Sequence, residues 1–141
     1  MKCRNSRLKR RQREQVESHL HARWRDYVRE RDDWRCRRCG RKKERWSLEA
    51  HHVAKRRLIP TRWEPFNGLS LCKRCHTWVE EHPSEARDWA CEEMGEDLYD
   101  AVVTYSGEIA RFSIDDLEDM LSAFRRGAPM SKVADTLERA G

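Results

Sequence analysis

Two CxxC hooks, CRRC at Cys36 to Cys39 and CKRC at Cys72 to Cys75, bracket a pair of adjacent histidines in the stretch LEAHHVAKRR. Two hooks of identical spacing present four thiolates, Cys36, Cys39, Cys72 and Cys75, in the number a tetrahedral zinc ion takes. An ion held by four thiolates has no open position, so it braces structure and cannot activate water. Catalysis therefore needs a second centre. His51 and His52 sit in a short strand-like run, where successive side chains leave on opposite faces, so the two rings serve different purposes. His76 directly follows Cys75. In a helix starting near Cys75, neighbours diverge by about 100°, letting the thiolate face zinc while His76 faces elsewhere. His51 and His76 could then share a second metal, with Glu80 one helical turn on as a hard oxygen ligand and Glu49 orienting the His51 ring.

The elements that position these residues must be built from few apolar side chains. Of 141 residues 38% are hydrophobic and 39% charged, which predicts one small core that gains much from a bound metal. No apolar run approaches spanning length and no signal peptide is evident, so the expectation is a soluble cytoplasmic protein without disulfides or membrane contact. Cys3 and Cys91 read as incidental, Cys91 as a small hydrophobe on a helix.

Charge is unevenly distributed. Residues 1–82 carry 24 Lys or Arg against 11 Asp or Glu, a net of +13, and residues 83–141 carry 6 against 14, a net of −8. An isolated cluster such as KRR would simply solvate a surface. Spread over the whole cysteine-bearing half, the charge points to a nucleic-acid partner bound in a salt-dependent way.

Residues 1–15 read as a flexible basic arm without apolar periodicity. Val16, Leu20, Trp24, Tyr27 and Val28 recur at helical spacing and predict a helix to about Asp32. LEAHHV and GLSLC are strand candidates, joined by a loop containing Pro60 and Pro65. A helix is expected from about Cys75. Beyond Pro83, Ser84 is a candidate N-cap for a helix stopped by Gly95, and EDLYDAVVTYS a second helix. Ser113 begins a capping-box-like SIDD, and Ser131 caps a last helix. This acidic segment, residues 84–141, reads as helical support or a docking element.

EAHH, the asparagine of FNGLSLC and the histidine of CKRCH together resemble the three parts of an HNH endonuclease, a ββα-metal or His-Me finger nuclease. VRERDDWRCRRC with the two hooks resembles the zinc-stapled HNH proteins of bacteriophages. The likeness covers roughly Trp24 to Pro83. It implies a small α+β fold: a ββα-metal nuclease core with a four-cysteine zinc site over residues 16–83, an N-terminal helix and a C-terminal α-helical extension. It further implies His52 as general base, Asn67 as the residue that orients it, and His51 and His76 as ligands of a catalytic divalent metal such as Mg2+, Mn2+ or Ni2+. Relatives often carry a histidine where this chain has Glu80. Taken alone, Asn67-Gly68 reads as a turn.

The reading is a metal-dependent endonuclease that hydrolyses DNA phosphodiester bonds, nicking duplex DNA, with Lys55, Arg56 and Arg57 on phosphates and cations of residues 41–45 beside them. A setting in phage DNA processing or packaging, in the host cytoplasm, is implied by the resemblance, with packaging proteins as partners of the C-terminal helices. The competing reading is a zinc-stapled module that grips nucleic acid without cutting it.

Overall fold

The computed structural model describes residues 2–44 and 47–141, apart from the side chains of residues 2 and 3; Arg45 and the Cys3 side chain therefore lie outside the described residues. Helix α1, Lys2–Arg31, leads into strand β1, Leu48–His52, and strand β2, Gly68–Cys72; five helices follow, α2 (Lys73–Glu81), α3 (Pro83–Met94), α4 (Glu96–Ser106), α5 (Ile114–Arg125) and α6 (Lys132–Ala140). The described residues thus form a small α+β structure of six helices around a two-stranded antiparallel sheet.

The stripe on α1 organises the interior. Val16, Leu20, Trp24 and Val28, four residues apart, are all buried, and Leu117, Leu121 and Phe124 of α5, four and then three residues apart, close over them. Tyr27 meets Phe124 edge to face at 5.8 Å. Helix α5, within residues 84–141, is consequently part of this core. Residues 2–15, expected as a flexible arm, belong to α1. Arg, Lys, Gln and Glu are good helix formers, and Arg10–Glu14 and Arg13–Glu17 pair one turn apart. Arg13 also donates to the Phe112 carbonyl, tethering this part of the rod to the segment before α5.

The sheet runs Leu48 against Cys72 through to His52 against Gly68. β2 is buried at every residue, because α1 covers one face and α2 the other. Gly68 begins a strand with φ −122°, not a turn. Its need for glycine is space: a Cβ there would stand 2.4 Å from a Val28 methyl carbon and 2.8 Å from the Trp24 ring.

Asp32 ties the pieces together from the end of α1. Its buried carboxylate accepts from Arg31, Arg37 and the Ser70 amide. Burial pushes its pKa up, but the Arg31 guanidinium, Ser70 and Arg37 outweigh that and hold it below the usual range. Asp33 and Trp34, both at positive φ, then turn the chain back on the helix end, with their amides on the Glu30 and Arg29 carbonyls.

Helix starts differ from expectation at two places. α2 begins at Lys73, two residues before Cys75, so the second hook spans the strand end and the first helical turn. α3 is preceded by His82 and opens on Pro83, whose missing amide suits the first helical position; Ser84 lies inside the helix and is not its cap. Gly95, at φ 87°, separates α3 from α4, Ser113 and Asp116 form the reciprocal capping box of α5, and the Ser131 hydroxyl accepts from the Ala134 amide to cap α6.

Candidate functional site

The four hook cysteines converge, with one potential ligand atom from each lying within 4.8 Å of all the others. The Cys39 and Cys72 sulfurs are 3.9 Å apart, against about 3.8 Å for the edge of a tetrahedron with Zn–S bonds of about 2.3 Å. The first hook is shaped by the turn after α1: the Cys36 amide donates to the Arg41 carbonyl and the Gly40 amide to the Cys36 carbonyl, with Gly40 at φ 74°. Burial raises the Cys75 thiol to about 12, although an Arg38 N–H 3.6 Å away lowers it. Such a thiol gives up its proton to a metal, not to water at neutral pH. Donor type, number and spacing all suit a structural metal such as zinc.

His51 and His52 do leave β1 on opposite sides. The His51 ring meets the His76 ring of α2 edge to face, with centroids 5.3 Å apart and planes at 65°. The His52 ring instead lies flat on Trp24 of α1 at 4.0 Å, with His21 parallel to it at 5.7 Å. Burial, reinforced by His76 and His52, lowers the His51 pKa to about 4, leaving a neutral imidazole able to coordinate.

His76 has carboxylates at both ring nitrogens. Glu49 Oε2 is in close contact with Nδ1, and Glu80 Oε1 is 3.7 Å from Nε2. Glu49 therefore addresses His76 and not, as its place two residues before His51 had suggested, the His51 ring. Two imidazoles and two flanking carboxylates are donors of the kind that take a divalent cation with positions left open. They are less tightly drawn together than the cysteines, the only described group of three or more His, Cys, Asp or Glu ligand atoms within 4.8 Å of one another.

The His52 ring is fixed by a group the sequence could not advertise. Its Nε2 is 2.9 Å from the Arg62 carbonyl oxygen. A carbonyl can only accept, so Nε2 carries the hydrogen and Nδ1 of the neutral ring is the free acceptor. Burial takes the His52 pKa to about 4, the Arg62 carbonyl opposing and Arg56 and Arg62 adding to the fall. The ring is thus a weaker base than an imidazole of ordinary pKa, and is unprotonated throughout the neutral range.

Asn67 acts one step removed. Its amide is fully buried; Oδ1 accepts from the Ala54 amide at 2.6 Å, and Nδ2 donates to the Ala54 and Thr61 carbonyls at 3.0 and 2.8 Å. The Asn67 carbonyl accepts from Val53 N–H. These bonds fix the loop from Val53 to Phe66, including the Arg62 carbonyl on His52, rather than touching the ring. Trp24 supplies a further anchor, its indole N–H donating to the Glu64 carbonyl at 2.8 Å.

A cavity of about 660 Å³ collects these groups: His51, His52, His76 and Glu80 line it, together with Lys55, Arg56, Arg87 and Tyr99. Lys55, Arg56 and Arg57 are all exposed. Sequence reasoning missed the Trp24 platform, His21 and the Arg62 carbonyl. Only Trp24 left a signal, as part of the α1 stripe, and that signal reports burial, not which ring it supports. No helix among the described residues is long and apolar enough to cross a membrane. No family model, curated protein or solved structure matches the chain.

Proposed function

We propose that this protein is a metal-dependent endonuclease of the HNH type, with β1, β2 and α2 as a ββα-metal core, and that it hydrolyses phosphodiester bonds in DNA. The observation that carries the reading is the state of His52: a neutral ring held through Nε2 by a backbone carbonyl, its Nδ1 an acceptor, beside a His51–His76 pair in one cavity that Lys55 and Arg56 also line. That is the arrangement a general base needs beside a phosphate.

In the proposed reaction Nδ1 of His52 takes a proton from a water whose oxygen bonds to phosphorus, and the bond from phosphorus to the 3′-oxygen breaks. The products are a 5′-phosphate and a 3′-hydroxyl, the departing oxygen taking its proton from solvent. Trp24 keeps the ring flat and Asn67 keeps the loop carbonyl on it. His51 and His76, with Glu80, would hold a divalent cation such as Mg2+, Mn2+ or Ni2+. When bound, that ion supplies positive charge at the phosphoryl and leaving oxygens. Lys55, Arg56 and Arg57 position the strand by its phosphates. The likeness to zinc-stapled phage enzymes extends the proposal to processing or packaging of phage DNA, with packaging proteins as partners.

Supercoiled plasmid incubated with the protein and a divalent metal provides the test. Nicking by the parent, lost in a folded His52→Ala variant, supports the enzyme. Equal nicking by both removes His52 from the mechanism. Binding without nicking under Mg2+, Mn2+ and Ni2+ favours the non-cleaving module, for which the close Glu49–His76 contact is the supporting observation.

A further inference from the structure

A second cavity, of about 400 Å³, lies beside the His52 ring stack. Helix α1 contributes Glu14, Glu17, His21 and Arg25 to it, and the loop after β1 contributes Arg56 and Arg62. The acids here are already engaged: Glu14 is 3.6 Å from Arg10 and Glu17 3.5 Å from Arg13. Among the described residues no ion pair involves Arg25, Arg56 or Arg62. Arg62 is held in place by other means, its Nε donating to the Arg56 carbonyl and its guanidinium lying 5.4 Å from the Trp63 ring centre.

Three guanidinium groups thus share one polar recess without carboxylate partners. His21, in the same recess, has a buried Nδ1 with no hydrogen-bond partner. Its pKa is lowered to about 4, by burial first and then by Arg56 and Arg25, which registers the positive field inside the recess. Such a site favours an anion with several acceptor oxygens, and the planar fork of arginine matches phosphate oxygens better than a point charge does. Arg56 lines both this recess and the cavity of His51, His52 and His76, so the two are neighbours along one path.

We propose that this recess is a phosphate-binding subsite that holds a backbone phosphodiester flanking the one cleaved, with Arg25 of α1 as its outer contact. The place of this phosphate beside a cleaved one rests on the nuclease reading, whereas its binding does not depend on cleavage. A strand crossing Arg56 would place one phosphate before His52 and another between Arg25 and Arg62. Helix α1 would then be part of the substrate surface as well as the core.

Binding of a fluorescent DNA duplex, measured by anisotropy across a salt series without added divalent metal, tests this. Neutralising one phosphate contributes about 0.9 to the slope of log affinity against log salt, or about eightfold in affinity at 0.1 M relative to 1 M salt. Arg25→Gln should therefore bind about eightfold more weakly at 0.1 M salt, with a slope shallower by about 0.9. Arg23→Gln, which removes the same charge from an exposed position about 200° around the helix and outside the recess, should lose less than twofold. Equal losses in the two variants, no loss in Arg25→Gln, or no DNA binding by the parent would each overturn the subsite. Nicking with an unaffected Arg25→Gln leaves the nuclease reading standing and removes the subsite. A selective Arg25 effect without nicking under any metal does the reverse.

Discussion

Replacing Asn67 with alanine separates two ways of orienting His52. The side chain has no exposed surface and makes three hydrogen bonds to backbone groups, one accepted from Ala54 N–H and two donated to the Ala54 and Thr61 carbonyls. Truncation leaves the Ala54 N–H and carbonyl without a partner, while the Thr61 carbonyl keeps the Glu64 amide at 3.2 Å; each buried group that stays unsatisfied costs about 1–3 kcal/mol. With both Ala54 groups unsatisfied the expected loss is about 2–6 kcal/mol, towards the lower end where water enters the vacated space. That is a large fraction of the 5–15 kcal/mol typical of a folded domain. Urea unfolding followed by tryptophan fluorescence, with zinc present, measures it. Long-range nitrogen–proton spectra of the imidazole rings report the His52 tautomer in the same samples. The parent should show hydrogen on Nε2, and Asn67→Ala should lose both stability and the single tautomer, because the Arg62 carbonyl drifts with its loop. A destabilisation under about 1 kcal/mol, with or without loss of the single tautomer, would refute this indirect role.

Two further substitutions test the scaffold. Cys36→Ser replaces a buried sulfur of the four-cysteine cluster with a poorer zinc ligand; the protein should release zinc and lose stability on the order of several kcal/mol, and unchanged metal content and melting would contradict the staple. Gly68→Ala drives a methyl into Val28 and Trp24 and should cost about 1–3 kcal/mol by overpacking; a thermally neutral variant would show that the close approach of α1 to β2 is not a constraint.

What could be read from the sequence was whatever local pattern or spacing encodes. The α1 stripe, the two strands, the cysteine hooks and the Ser113 capping box each declare themselves within a few residues, by periodicity or by side chains that satisfy nearby amides. The extension of α1 back to Lys2 escaped notice because it has no apolar face; propensity, ion pairs and the Arg13 tether to Phe112 hold it. At the candidate site, residue types were legible and partners were not. Glu49 sits two positions from His51 in sequence, yet its carboxylate goes to His76 of α2. The Arg62 carbonyl is a backbone group, which every residue possesses, so nothing in the letter R marks it. The distant return of α5 onto α1 likewise depends on which apolar faces meet in space, and similar stripes on α5 and α6 do not say which one will cover Trp24.

The closure of α5 over α1 sets the smallest fragment worth making. Cutting the chain after Pro83, where the charge changes sign, would strip Leu117, Leu121 and Phe124 from Val16, Leu20, Trp24 and Val28 and leave an indole-bearing ridge open to water. The His52 ring rests on that same indole. Trimming the acidic end would therefore disturb the imidazole from behind, and a miniature that keeps the histidine geometry has to extend at least through Phe124.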